Sequence, residues 1–176
     1  MKERPILMSA PMVRAILAGR KTQTRRIMKM AKRGTGGPPF QIDGKTVCSP
    51  YGVPGDRLWV RESWRPRQAS TVYYRADSYD YHHDEIRAGG TVPQWRPSIH
   101  MPRWASRITL EVVAVRVERL QEITYLESVA EGVIYDRGFE DPRDNYRSLW
   151  NVINAKRGRG WDENPWVWVI EFRRTR

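Results

Sequence analysis

The chain has 176 residues, of which 40% are hydrophobic and eight are tryptophan. This composition suits one folded domain over residues 1–176 and argues against disorder. The single cysteine, Cys48, excludes an intramolecular disulfide and favours a reducing compartment, so we expect a cytoplasmic protein. The first apolar run is interrupted at Pro11 and Arg14, and we therefore predict neither a signal peptide nor a membrane span, and no membrane partner.

The formal net charge of +11 is unevenly distributed along the chain. No acidic residue lies between Arg4 and Ile42, whereas that stretch contains many lysines and arginines. An excess of basic over acidic residues favours an anionic partner, most often the phosphate backbone of a nucleic acid. We expect single-stranded RNA as that polymer. The alternative is a basic face that is merely solvated.

The first elements read as a strand, a helix and a second strand. Residues 5–9 predict a short strand that leads into a helix, with Ser9 as the N-cap and Gly19 as the left-handed residue after its last turn. Residues 22–28 predict the second strand. Residues 31–55 are rich in glycine and proline and predict a long loop.

The remaining elements mix strands with two more helices. A capping box at Thr124–Glu127 predicts a helix that ends at Gly132, and residues 141–158 predict another. Residues 76–105 predict a second long irregular stretch. Strands are expected over 58–63, 71–75, 107–119 and 166–173. Strands predominate and do not alternate strictly with helices, so we predict an α+β fold built around a β-barrel with short flanking helices.

The densest group of reactive side chains follows Gly19. Lys21 lies among positive charges that disfavour its own, which would lower its pKa and make it a base. A threonine hydroxyl is a poor nucleophile unless such a base is adjacent, and Thr24 is three residues further on. A tight turn after Gly19 would bring the two side chains together, whereas a flat strand would point them apart. A plain basic turn without catalytic function is the alternative.

These residues resemble the signature of the ASCH family, which belongs to the PUA-like superfamily. Gly19, Lys21, Thr24 and Arg26 match its Gly-x-Lys-x-x-Thr-x-Arg motif. The block from Gly55 to Glu62 is similar to the family's second motif, a Gly-Asp turn that enters a barrel strand. The resemblance covers most of the chain except residues 29–50 and 76–105, and the chain looks like the longer family members of bacterial prophages. It implies a PUA-like barrel with two long loop inserts.

The resemblance also implies an activity. Small bacterial enzymes of this family hydrolyse N4-acetylcytidine with a lysine, a threonine and a glutamate, and these fall on Lys21, Thr24 and Glu131. The implied mechanism has Lys21 deprotonating Thr24, which attacks the acetyl carbonyl, while Glu131 relays a proton to the departing amine. No metal or other cofactor is needed.

The substrate-binding candidates beside these three are Arg25, Arg26 and Trp64. Arg26 is expected to hold the polar substrate or the developing oxyanion. Trp64, Trp95 and Trp104 are able to stack on bases, although tryptophans as a group are more often core residues. The histidines and acids of residues 81–85 are capable of binding a metal, but adjacent histidines in a loop rarely converge on one ion, and no metal site is predicted.

Two other functions compete with the hydrolase. The first is an RNA-binding module in which the cleft beside Lys21 and Thr24 holds a nucleotide without catalysis, a function that the resemblance to PUA-like barrels implies. The second is ribonuclease activity, which some ASCH relatives imply. The inserts at 29–50 and 76–105 bear on this choice because the small acetylcytidine enzymes lack them. They could narrow the cleft or convert it into a groove for a polymer.

Overall fold

The computed structural model describes residues 1–28, 39–42, 45–66, 71–77, 94–133 and 141–175, and within residues 39–47 only the backbone. The predicted metal-capable residues 81–85 and much of the 29–50 and 76–105 inserts lie outside these ranges. In the described part of the chain, no helix is both long enough and apolar enough to cross a bilayer.

The described strands are numbered in chain order. They are β1 (Glu3–Leu7), β2 (Gln23–Ile27), β3 (Pro39–Ile42), β4 (Lys45–Cys48), β5 (Arg57–Arg61), β6 (Trp64–Pro66), β7 (Val72–Tyr74), β8 (Thr109–Arg119) and β9 (Trp166–Arg174). Five of them form the main sheet in the order β1-β5-β8-β9-β2, while β3–β4 and β6–β7 form two separate hairpins.

The main sheet is mixed. Strand β1 runs parallel to β5, and every other neighbouring pair is antiparallel. Within the described residues β1 and β2 are the two edges of this sheet, and no pairing between them closes it. The predicted α+β class is therefore confirmed, whereas closure into a barrel is not observed in these ranges.

Three α-helices accompany the sheet in the described part of the chain: α1 (Ala10–Leu17), α2 (Tyr125–Ala130) and α3 (Pro142–Asn154). Each begins where the sequence predicts. The Thr124 hydroxyl accepts from the Glu127 N–H and the Glu127 carboxylate accepts from the Thr124 N–H, so the capping box of α2 is formed. The Asp141 side chain caps α3, and Pro142 occupies its first turn, where the missing N–H costs nothing.

The two faces of the main sheet bury separate clusters. The larger cluster contains Ile6, Val13, Leu58, Leu110 and Trp168 and lies between α1 and the sheet centre. On β9 the alternate residues Val167 and Val169 point the other way and pack against Tyr146 and Trp150 of α3. The period-2 alternation of a strand therefore places α1 and α3 on opposite sides of the same sheet.

One loop prediction was wrong in part, and one short strand was missed. The stretch predicted as a loop over residues 31–55 contains the β3–β4 hairpin. Strand β6, which pairs with β7, was missed because three residues are too few to display alternation. Within 76–105 the described backbone forms short 3₁₀ turns at Ser98–His100 and Arg103–Ala105.

Candidate functional site

The segment after Gly19 is fixed by backbone hydrogen bonds to the ends of two helices. Gly19 adopts φ +72°, which turns the chain out of α1. The N–H groups of Arg20 and Lys21 then both donate to the carbonyl of Ala15, at 2.9 and 3.1 Å. Thr22 donates to the carbonyl of Ala130 at the end of α2, at 2.9 Å. The motif thus joins the C-terminal ends of α1 and α2 before β2 begins.

A buried ion pair between Lys21 and Glu131 lies at this junction. Lys21 Nζ donates to Glu131 Oε2 at 2.8 Å and to the carbonyl oxygens of Glu131 and Gln23 at 2.7 Å each. All three ammonium protons therefore have an acceptor. The two residues also form a backbone β-bridge. Burial lowers the pKa of Lys21, and Glu131 opposes that effect through its charge and hydrogen bond.

Gly132 permits this close approach. It adopts φ +79°, and a Cβ built on it would lie 2.7 Å from the Cβ of Lys21 and 2.8 Å from the Cβ of Ala15. Carbon atoms that are not bonded to each other require clearly more space, about 3.5–4.0 Å. Gly132 therefore serves as a helix terminator and as the space into which the Lys21 stem packs.

Arg25 is the second cation that holds Glu131. Its Nη1 lies 3.4 Å from Glu131 Oε1, and its Nη2 lies 3.1 Å from both Glu118 Oε2 and Glu127 Oε2. Arg116 contacts Glu118 and Glu127 from the other side. Burial alone would raise the pKa of Glu127, but the N–H of Thr124 and the charge of Arg25 bring that pKa below its usual value.

A cavity of about 240 Å³ opens beside this network. Its lining combines polar groups from β2 and from Glu131, which follows α2, with aromatic and aliphatic side chains from the loop at Tyr51 and from α3. The residues that line it are Met12, Thr24, Arg25, Arg26, Ile27, Tyr51, Glu131, Tyr146, Leu149, Trp150, Ile153, Asn154 and Arg157. Such a combination of apolar side chains and a few polar groups is typical of sites for small organic ligands.

The two tyrosines of the cavity, Tyr51 and Tyr146, both have raised pKa values. Burial raises the pKa of Tyr146 well above its ordinary value, and the negative charge of Glu131 raises it further. Burial also raises the pKa of Tyr51, and the positive charge of Arg26 opposes this in part. A tyrosine is already uncharged at neutral pH, so these shifts extend that state to more alkaline solution, and both rings present neutral, aromatic surfaces to a ligand.

The structure brings most of the predicted site residues to this cavity. Thr24, Arg25, Arg26 and Glu131 line it. Lys21 contacts Glu131 from behind and is not among the lining residues. Among the described contacts, no hydrogen bond joins Lys21 Nζ to Thr24, since its three donors are directed to Glu131 and Gln23.

Trp64 is placed elsewhere. It lies in a separate cluster with Met101 and Ala105 and does not line the cavity. The structure therefore does not bring this substrate-binding candidate together with Thr24. The reason is topological, because β6 follows β5, near the edge of the main sheet opposite to β2.

Among its described residues, the basic N-terminal stretch contains cations that are buried and paired rather than free on the surface. Lys21 and Arg25 expose only 2% and 4% of their surface, and both are paired with glutamates. Arg26 donates to the carbonyl of Leu7. The charges that counted toward a basic surface in the sequence are thus used in part to neutralise buried carboxylates.

Several cavity residues were missed by sequence reasoning. Tyr146 and Trp150 fall within the helix predicted over residues 141–158, and Tyr51 falls within the loop predicted over residues 31–55, with no role in a site. Nothing in their spacing indicates that they face Glu131. Gly132 was read only as a helix terminator, and its contact with Lys21 has no local signal.

Within the described ranges no group of three histidine, cysteine, aspartate or glutamate side chains is arranged to hold a metal ion. Comparisons of the chain with protein-family models, with curated proteins and with solved structures found no match.

Proposed function

We propose that this protein is a hydrolase of the ASCH type that cleaves the amide of a modified nucleoside, with N4-acetylcytidine as the substrate class. The observation that carries the proposal is the buried Lys21–Glu131 pair beside a cavity that Thr24 and Glu131 both line. The family assignment rests on the Gly19–Arg26 signature, and the PUA-like barrel and the cytoplasmic location are part of the same proposal.

The size and lining of the cavity favour a nucleoside over a polymer. Its volume of about 240 Å³ lies below the range of about 300–1,000 Å³ that holds drug-sized ligands. The aromatic rings of Tyr51, Tyr146 and Trp150 offer apolar surface for a planar base. Arg26 also lines the cavity and supplies a cation for the carbonyl oxygen of the amide or for the charge that develops on it.

The proposed reaction has two stages. In the first, the Thr24 hydroxyl oxygen attacks the acetyl carbonyl carbon, Glu131 accepts the hydroxyl proton, and the C–N bond breaks as Glu131 returns that proton to the departing nitrogen. This leaves an acetyl ester on Thr24. In the second, water attacks the ester carbonyl, Glu131 accepts a water proton and returns it to the Thr24 oxygen, and acetate leaves.

Lys21 has a supporting role in this scheme. The sequence assigned it the role of base, and that remains a prediction. The contacts favour Glu131 as the proton carrier, because Glu131 lines the cavity with Thr24 whereas Lys21 Nζ has all three protons in hydrogen bonds. Lys21 and Arg25 then keep the Glu131 carboxylate in place between proton transfers.

The test is release of cytidine from N4-acetylcytidine, measured by liquid chromatography. Thr24→Val keeps the shape of a side chain that is almost fully buried and replaces its hydroxyl with a methyl group. We expect it to release no cytidine, and we expect Thr24→Ser to retain activity. The wild type should carry one acetyl group on Thr24 in a mass spectrum of the quenched reaction, and Thr24→Val should not.

The outcomes separate the alternatives. Cytidine release by Thr24→Val at the wild-type rate would contradict the covalent mechanism. A folded wild type that releases no cytidine would contradict the substrate and return the non-catalytic RNA-binding module or the ribonuclease as the leading function.

A further inference from the structure

A group of stacked arginine and tryptophan side chains lies near the edge of the sheet formed by β1 and β5. The Arg61 and Arg103 guanidinium carbons lie 5.3 and 5.9 Å from the ring centroid of Trp59. The Arg96 guanidinium carbon lies 5.2 Å from the ring centroid of Trp64. These distances are within the range of cation–π contacts, so the guanidinium planes and indole rings form an ordered array.

Trp104 extends this array into solvent. Its ring packs edge-to-face on Trp64, with centroids 6.0 Å apart, and yet 64% of the residue is exposed. The 3₁₀ turn that carries it is anchored by the buried residues Met101 and Ala105. The exposed indole is therefore fixed in position by its buried neighbours, and a ligand that stacks on it need not order it first.

The segment that carries Trp104 is basic, and one of its cations, Arg107, is paired with Glu62 and Asp77 from other elements. Residues 94–107 contain four basic or titratable side chains, Arg96, His100, Arg103 and Arg107, and no acidic residue. Arg96 is exposed. Arg103 is partly exposed and pairs with Glu3 at 3.0 Å, an exposed pair that solvent screens. Arg61 donates to the carbonyl of Ile99, which is itself 58% exposed.

We infer that Trp59, Arg61, Arg96, Arg103 and Trp104, here named the Trp104 surface, bind single-stranded nucleic acid. The exposed ring of Trp104 can stack on a base of any sequence, and the exposed Arg96 and the partly exposed Arg103 contact the neighbouring phosphates. Duplexes do not offer unstacked bases to such rings.

The Trp104 surface is separate from the hydrolase cavity. None of its residues lines that cavity. Trp59 and Arg61 belong to β5, whereas the cavity adjoins β2 at the far edge of the sheet order β1-β5-β8-β9-β2. The inference therefore goes beyond the proposed function and holds or fails independently of it.

The test is fluorescence anisotropy of a labelled ten-nucleotide oligocytidylate, as RNA and as DNA, titrated with the full chain. Trp104→Leu keeps an apolar side chain and removes the stacking ring. We expect it to weaken binding about 5- to 150-fold, the loss of one base–aromatic stack. Trp104→Phe should restore part of the affinity. Leu126→Ala, at a residue that is 76% exposed on α2, is the matched control and should bind as the wild type does.

Salt dependence tests the cations separately. Arg96→Gln should reduce the slope of log affinity against log salt by about 0.7, the value for one phosphate of a single strand. Arg147→Gln, at an exposed arginine of α3 that pairs with Asp162, should leave the slope unchanged. Equal binding of RNA and DNA assigns the surface to single strands in general, and preference for RNA assigns it to contacts with the 2′-hydroxyl.

Three results would overturn the inference: no binding by the folded wild type at low salt, wild-type affinity in Trp104→Leu, or preference for a duplex over a single strand. Release of cytidine from N4-acetylcytidine by Trp104→Leu should equal that of the wild type. That measurement distinguishes failure of the Trp104 surface from failure of the hydrolase proposal.

Discussion

Gly132→Ala tests how tightly the Lys21 junction is packed. The new methyl group would lie 2.7 Å from the Cβ of Lys21 and 2.8 Å from the Cβ of Ala15, at a backbone φ of +79°. A left-handed conformation costs a non-glycine residue about 1–2 kcal/mol. Overpacking a closed site costs about 1–3 kcal/mol more. We therefore expect Gly132→Ala to lower the free energy of unfolding by about 2–5 kcal/mol.

Gly158→Ala is the matched control, because Gly158 also follows a helix with a positive φ of +65° but has nothing within 4 Å of a built Cβ. It should lose only the conformational part, about 1–2 kcal/mol. In a domain of this size each kcal/mol corresponds to about 2–4 °C in Tm. The variants should therefore differ by about 2–12 °C, the thermal equivalent of the crowding alone.

The assay is urea unfolding followed by tryptophan fluorescence, with thermal unfolding beside it. Adding Ala15→Gly to Gly132→Ala removes one of the two clashes, so the double variant should be more stable than the sum of the single losses predicts. Equal destabilisation by Gly132→Ala and Gly158→Ala, or strict additivity with Ala15→Gly, would refute the reasoning.

Two further predictions concern charges. Because burial lowers the pKa of Lys21 below 10.5 against the opposing effect of Glu131, the folded state binds fewer protons than the unfolded state between those two pKa values. The free energy of unfolding should therefore rise with pH up to about 10. Urea unfolding at a series of pH values should show this rise in the wild type and not in Lys21→Met. The same dependence of unfolding free energy on pH in both proteins would contradict the prediction. Arg107 makes bidentate contacts of 2.9 and 3.1 Å with the buried Glu62, so Arg107→Met should cost about 3–5 kcal/mol. Arg173→Ala, at an exposed pair with Glu111, should lower the free energy of unfolding by only about 0–1 kcal/mol. Equal losses of stability in Arg107→Met and Arg173→Ala, measured by thermal unfolding, would contradict this prediction.

Residues close together in the chain determined the elements that the sequence predicted well. The α2 capping box needs only Thr124 and Glu127, and the ends of the helices need only Gly19, Gly132 and Gly158 in a left-handed conformation. These interactions span at most four residues and form in any tertiary context, so they can be predicted from the sequence alone. The strands with long alternation, β8 and β9, were likewise predicted.

Tertiary structure decided the environment of the site. Lys21 and Glu131 are 110 residues apart, and only the ends of α1 and α2 bring them together. The sequence showed a run of basic residues after Gly19, but it could not show that Arg25 would be buried among three glutamates. Nor could it place Trp64 away from Thr24. Burial and pairing over such distances depend on the order of strands in the sheet, which no local pattern encodes.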